Sequence, residues 1–300
     1  MSWRPGPRTR LAAVIGDPVR HSLSPVLHNA AFRALDLEWV YLAFEVAPSA
    51  LPGAVEGMRA LGIEGLSVTM PHKTEMVGLV DELSPTAEAL DAVNCVSRRR
   101  GALVGENTDG DGFIDALLLD EGIDVVGRRT VVLGAGGAAR AVIRALGQSG
   151  AGEVVVVNRT PERGEQAAAL AGSVGRTGPA EVARDADIVI NATPIGMGNV
   201  ITPEGRAPDL PIDPELLSKG QLVVDLIYEP MLTPLLDAAR DRGAVTVNGL
   251  GMLIHQAAHA FRLWTAEDPP LEVMSAAVLA ELSQRSGGRA HPAESSASND

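Results

Sequence analysis

Residues 130–144, TVVLGAGGAARAVIR, constrain the fold more than any other stretch. Thr130-Val131-Val132-Leu133 is β-branched or aliphatic and reads as a short buried strand. Gly134-Ala135-Gly136-Gly137-Ala138-Ala139 comes next, then alanine-rich sequence with Ala138, Ala141, Val142 and Ala145 at helical spacing. Strand, glycine turn and helix in that order are the context a dinucleotide fingerprint requires. Gly134 permits the tight turn, and Gly136 has no side chain to hold a pyrophosphate off the backbone. Ala139, where a third glycine is common, still lets helix and strand pack closely. The helix N-terminus offers free N–H groups and a partial positive charge. A further strand, Glu153–Val157, follows at the distance a βαβ unit needs. The alternative is a glycine turn that binds nothing.

Which dinucleotide fits is read at the end of that second strand. Asn158-Arg159-Thr160 stands where an NAD site usually carries Asp or Glu for the ribose hydroxyls. Arg159 suits a 2′-phosphate and can stack on adenine; Arg163 lies one turn further on. Thr160-Pro161 also reads as an N-cap with proline at N1. NADP is the expected cofactor.

The chain has 300 residues, enough for about two domains. No apolar run approaches a membrane span, and residues 1–10 lack the apolar core of a secretory signal. One cysteine, Cys95, excludes an intramolecular disulfide and fits a reducing cytoplasm. A net charge of −13 argues against nucleic acid or an anionic membrane as partner. A small molecule is the expected partner; the sequence leaves a homodimer open. Only two of the 25 cationic side chains are lysines, Lys73 and Lys219. Lysine releases a proton at accessible cost and arginine does not, so a lysine here draws attention as a chemical group.

Strands at 11–16, 39–45 and 65–69 alternate with helices at 24–35 and 51–61 and a helical segment at 73–80. Segments 92–97 and 102–105 flank a basic hairpin turn, Arg98-Arg99-Arg100-Gly101. A turn cluster at 107–112 precedes a helix at 113–120. The alternation predicts a mostly parallel first sheet. The second set of strands lies at 130–133, 153–157, 188–191, 222–225 and 245–247. Residues 198–214 form a long Pro- and Gly-rich loop, of a length often tied to function. Helices at 249–265 and 271–285 end the ordered chain, and 286–300 read as a disordered tail.

Thr69 and Lys73 follow a strand end, where open α/β sheets bind ligands. Asn94 is an amide inside an apolar segment and needs partners. Asp109 lies in the turn cluster and could cap the following helix, but Asp111 suits that role at least as well, which leaves Asp109 freer. Ser24, before Pro25, reads as an N-cap; Ser22 has no such structural reason. His255 and His259 have metal-pair spacing but no third ligand, so no metal is expected. Asp109-Gly110-Asp111-Gly112 is not a calcium loop, because Phe113 stands where an oxygen ligand is needed. Asn191-Ala192-Thr193 fits a glycosylation pattern without other support, and Cys95 reads as core.

In order, Ser22-Leu23-Ser24-Pro25 with His28-Asn29, 67–73, 92–96, 107–110, 134–138, 158–163, 191–197, 225–230 and 249–256 resemble the motifs of the shikimate dehydrogenase family. The resemblance covers about residues 11–265. It implies NADPH-dependent reduction of 3-dehydroshikimate to shikimate, with Lys73 as acid/base and Asp109 its partner. Ser22 and Ser24 would bind the carboxylate; Thr69, Asn94, Tyr228 and Gln256 would bind ring hydroxyls or shape the site. Gly134, Ala135, Gly136, Gly137 and Ala138 would hold the pyrophosphate, and Asn158, Arg159, Thr160 and Arg163 the 2′-phosphate. Thr193, Leu226 and Gly249 would line the nicotinamide side. The implied α/β architecture is a substrate domain, 1–109 with 249–285, and a Rossmann-like parallel-sheet NADP domain, 110–248. Ser67 stands where the family often has asparagine and Cys95 where threonine is common; both are expected beside the site rather than in it. Oxidation of quinate, or a non-catalytic NADP sensor, are the alternative readings.

Overall fold

The computed structural model describes residues 5–198 and 209–288. Its first strand, β1 (Arg10–Gly16), sends Ala12 and Val14 into one apolar layer and Ala13 and Ile15 into another. A strand covered on both faces has no polar alternation to show, which is why it reads as an unbroken apolar run. Around it are β2 (Trp39–Glu45), β3 (Gly65–Val68), β4 (Glu82–Leu83), β5 (Cys95–Arg99) and β6 (Ala102–Glu106), in the order β2-β1-β3-β5-β6-β4. The sheet is mostly parallel, as expected: of these six strands, β5 alone is reversed, running antiparallel to β3 and to β6. The cause is a tight hairpin in which Arg100 and Gly101 take φ of 52° and 90°. Arg98 and Arg99 belong to the strand, and only Arg100 of the basic run forms the turn.

One face of this sheet is covered by α1 (Ser24–Ala34) together with α8 (Leu250–Thr265) and α9 (Leu271–Gly288) from the far end of the chain. The other is covered by α2 (Leu51–Leu61). The expected helix at 73–80 is only a 3₁₀ turn, Glu75–Gly78. The sequence reading omits α3 (Pro85–Leu90), although Ser84 caps it by accepting from the Ala87 N–H. Helix α4 (Asp109–Asp115) starts four residues before the expected 113 and continues through a π turn, Ala116–Asp120. It crosses α8 so closely that a Cβ on Gly112 would lie 2.4 Å from the Gln256 nitrogen. Only glycine allows that approach.

The second sheet is parallel throughout. Its strands β7 (Arg129–Leu133), β8 (Glu153–Val157), β9 (Gly175–Thr177), β10 (Ile188–Asn191), β11 (Leu222–Asp225) and β12 (Val245–Val247) lie in the order β12-β11-β10-β7-β8-β9. β9 is Gly-Arg-Thr and has no apolar run to mark it in the sequence. The strand order reverses between β7 and β10, the switch point where such sheets bind ligands. α5 (Gly137–Gln148) and α6 (Pro161–Ala168) cover one face; α7 (Pro234–Asp241) covers the other. The α5 core face is Ala139, Val142, Ile143 and Leu146, so Ala138 is half-buried and not a core residue. Residues 289–300 and 199–208, most of the expected tail and loop, lie outside the described residues; 286–288 continue α9.

His28 on α1 is fully buried among Tyr41, Phe32, Phe261 and Trp264, with the Tyr41 ring 4.4 Å away. Neither ring nitrogen has a partner among the described residues. Burial penalises the imidazolium and pulls the pKa down to about 3. Between the unfolded value of about 6.5 and that folded value, only the unfolded chain binds the proton. Stability therefore falls as pH drops through this window. The expected result for His28→Phe is a smaller loss between pH 7 and pH 5, by about 2 kcal/mol. Urea midpoints at the two pH values measure it; equal losses in both proteins would contradict the assignment.

Candidate active site

Lys73 lies in the turn after β3, where its carbonyl accepts from the Val93 N–H at 2.8 Å. That bond ties the turn to the segment leading into β5 and aims the side chain across the sheet end. Its Nζ donates to Asp109 Oδ2 at 2.5 Å, with the Asp109 side chain 8% exposed. Asn94 donates to the other Asp109 oxygen at 2.7 Å and to Thr108 Oγ1 at 3.0 Å, while its own oxygen accepts from the Thr108 N–H at 2.8 Å. The buried amide singled out in the sequence thus has its partners, and they fix the carboxylate. Asp109 is the first residue of α4 and Thr108 occupies the cap position; neither Asp109 nor Asp111 caps. Asp111 is exposed. Thr108, which the sequence reading passed over, also donates to the Gln256 carbonyl at 3.0 Å and so joins α4 to α8.

These groups line a cleft of about 330 Å³. Ser22, Ser24, Thr69, Lys73, Asn94, Asp109, Tyr228 and Gln256 all face it. So do Ala138, Leu226 and Gly249 from the side of the second sheet. Ser67 also lines it and accepts from the Tyr41 O–H at 2.7 Å, so it stands in the site and not beside it. Met70, Met197, Met252 and Leu253, which lie within the motifs at 67–73, 191–197 and 249–256, add apolar wall. The roles of Ser22 and Ser24 in the helix start differ from expectation. Leu23 is at the cap position, and Ser22 Oγ accepts from the Ser24 N–H at 3.2 Å. Asn29 ties α1 to β2, donating to the Tyr41 carbonyl and accepting from its N–H.

The glycine turn lies against this cleft. Gly134 has φ of 107°, and a Cβ there would lie 3.1 Å from Thr193 Cγ2, while the space at Gly136 is open. A Cβ on Gly137 would be 4.0 Å from Lys73 Cδ. Thr193 and Leu226 are placed by a buried network behind them. Asn191, in β10, donates to Asp225 and accepts from the Thr193 hydroxyl at 2.7 Å. Asp225 accepts from Thr233 Oγ1 and the Ile227 N–H, and burial raises its pKa against the lowering effect of those bonds. Buried at 0% exposure, Asn191 has no surface to present for glycosylation.

At the end of β8, Asn158 donates to the Thr160 carbonyl at 2.8 Å. Arg159 and Arg163 are exposed and make no ion pair with any described residue. Thr160 is at the cap position of α6, yet its hydroxyl takes no bond from the helix, contrary to the expected cap. Two uncommitted cations and a free hydroxyl beside the glycine turn suit a phosphate monoester. His255 and His259 are engaged separately, with Asp120 at 3.0 Å and Asp115 at 2.8 Å. Burial raises the pKa of Cys95, a core thiol at 1% exposure.

Family models match along the chain. The shikimate dehydrogenase substrate binding domain matches 14–96, shikimate / quinate 5-dehydrogenase matches 118–227, and the shikimate 5'-dehydrogenase C-terminal domain matches 249–279. A shikimate dehydrogenase (NADP(+)) of Methanopyrus kandleri is 46% identical over 284 residues, 91% of this chain and 96% of its own. The chain belongs to the shikimate dehydrogenase family. A crystal structure of a shikimate dehydrogenase in complex with NADP⁺ superposes with a TM-score of 0.86 at 40% identity, covering 93% of this chain and 98% of that one. The shikimate dehydrogenase of Thermus thermophilus in complex with NADP(H) and shikimate gives 0.83 at 39% identity, covering 91% and 99%. Among the described residues, no helix is long and apolar enough to cross a membrane.

Proposed function

We propose that this chain catalyses the reversible, NADP-dependent reduction of 3-dehydroshikimate to shikimate, a cytoplasmic step towards chorismate and the aromatic amino acids. The observation that carries this reading is the Lys73–Asp109–Asn94 chain in a cleft that Ala138 of the glycine turn also lines, with Gly137 beside the Lys73 side chain. In this reading, 1–109 with 249–285 bind substrate and 110–248 bind the dinucleotide. The α5 N-terminus and 134–138 hold the pyrophosphate, Asn158, Arg159, Thr160 and Arg163 the 2′-phosphate, and Thr193, Leu226 and Gly249 flank the nicotinamide.

The nicotinamide, when bound, supplies or accepts the hydride. The protein manages the proton. Reduction of a ketone builds negative charge on its oxygen, and the Lys73 ammonium stabilises that charge and delivers the proton. In the opposite direction its amine removes it. Asp109 holds Nζ in place with one oxygen while Asn94 holds the other, so the ammonium needs little reorganisation. Ser22 and Ser24 bind the carboxylate. Thr69, Asn94, Tyr228 and Gln256 meet ring hydroxyls or shape the cavity, and sites of this kind reject analogues lacking those hydroxyls.

The test is absorbance at the nicotinamide band with shikimate or quinate and NADP⁺ or NAD⁺. The expected result is fastest turnover with shikimate and NADP⁺. Faster turnover of quinate reassigns the substrate; no turnover of either acid overturns the proposal.

A further inference from the structure

Tyr41 is a titratable side chain, buried at 0% exposure, that no step of the proposed reaction uses. It lies on β2, where the residues beyond it, 42–45, are exposed. Its side chain spans β1, whose small Ala12 is its register partner, and reaches β3. There its O–H donates to Ser67 Oγ at 2.7 Å. A phenol is the more acidic of the two hydroxyls, so the proton between them belongs to Tyr41. Burial raises the Tyr41 pKa, against the lowering effect of hydrogen bonds with Ser67 and Ser24, so the phenol stays a donor.

The ring is held where it lies. The His28 ring stacks on it at 4.4 Å, and the Trp264 ring lies 5.9 Å away. Asn29 fixes the Tyr41 backbone at its N–H, 2.9 Å, and at its carbonyl, 2.8 Å. Ser67 is half-buried and lines the cleft beside Thr69 and Lys73. Among the described residues, its Oγ has no other hydrogen-bond partner. A serine hydroxyl carries one donor and two acceptor lone pairs. With the Tyr41 proton on one lone pair, the serine's own proton is left to point into the cleft. Carboxylate and hydroxyl oxygens accept such a proton, and a donor oriented in advance binds them with little ordering cost.

We propose that Tyr41 is a positioning residue: its buried O–H occupies a lone pair of Ser67 and turns the serine proton into the cleft, where it donates to an oxygen of the bound substrate. The inference rests on the proposed reaction.

The test is a double-mutant cycle read in the KM for shikimate. Tyr41→Phe keeps the ring and removes one oxygen. The expected KM rises about three- to tenfold, the scale of one neutral hydrogen bond, while kcat and the NADP⁺ KM stay unchanged. Ser67→Ala raises it by a similar factor. Adding Tyr41→Phe to Ser67→Ala changes the KM no further, because the phenol then has no hydroxyl to orient. A phenol with a merely structural role would lower the melting temperature without moving the KM, or would act independently of Ser67→Ala; either result would overturn the proposal. A crystal structure of the unmodified enzyme with shikimate gives a second reading that needs no variant to fold. Ser67 Oγ is expected within about 3 Å of both Tyr41 Oη and a substrate oxygen; no substrate oxygen within reach of Ser67 would overturn the proposal. No turnover of shikimate by the unmodified enzyme would sink the reaction assignment instead, so the two failures are distinguishable.

Discussion

Lys73→Ala lowers turnover of shikimate by about 10²- to 10⁴-fold, the range of a lost general acid/base, and leaves NADP⁺ binding intact. Steady-state absorbance gives the first quantity and a fluorescence titration of the cofactor the second. The expectation follows from position. The ammonium lies 2.5 Å from Asp109, and its side chain is 20% exposed in the cleft. No other Lys or Arg side chain among the described lining residues can replace it. Cofactor binding should survive because the Gly134 turn and the residues after β8 are built from the second sheet and its loops. Near-normal turnover would remove Lys73 from the chemistry.

Arg159→Ala combined with Arg163→Ala raises the KM for NADP⁺ by about tenfold or more per arginine, the scale of a hydrogen bond to a charged group. The KM for NAD⁺ stays unchanged, so the preference between dinucleotides collapses. Neither arginine has an ion-pair partner to give up among the described residues, so the loss reads as lost phosphate contact and not as local unfolding. Because both side chains are exposed, the unmodified enzyme's preference also shrinks as ionic strength rises. A variant that still prefers NADP⁺ as strongly as the parent would place the 2′-phosphate elsewhere.

Much of the second sheet was legible in the sequence, and the reason is physical. Strands β8, β10 and β11 are buried parallel strands bounded by turns, so their apolar runs begin and end where the strands do. Short or locally coded elements were harder. β4 has two residues, too few for any period, and β9 is Gly-Arg-Thr, with no apolar run to mark it. The cap of α3 at Ser84-Pro85 was a readable signal that the apolar pattern overshadowed. Ser24 and Thr160 are cap-type residues that make no cap bond, because a suitable residue type does not dictate its hydrogen bond.

The site divides the same way. Lys73, Asn94 and Asp109 were marked by chemistry out of keeping with their surroundings: a rare lysine, an amide among apolar residues, an acid in a glycine turn. Their convergence was not readable, because it depends on contacts between residues 36 and 15 positions apart. The family pattern puts Ser67 beside the site, yet at the end of β3 it lines the cleft together with Val68. Thr108 lies within the 107–110 motif, but nothing there singles it out, because it matters through a partner on α8.

The most direct measurement is a crystal structure of the ternary complex with shikimate and NADP⁺. Lys73 Nζ is expected within about 3 Å of the hydroxyl oxygen on the carbon that is oxidised, the distance proton transfer requires, with the nicotinamide ring on the opposite face of that carbon. A complex in which Nζ contacts only Asp109, and another side chain meets that hydroxyl, would contradict it.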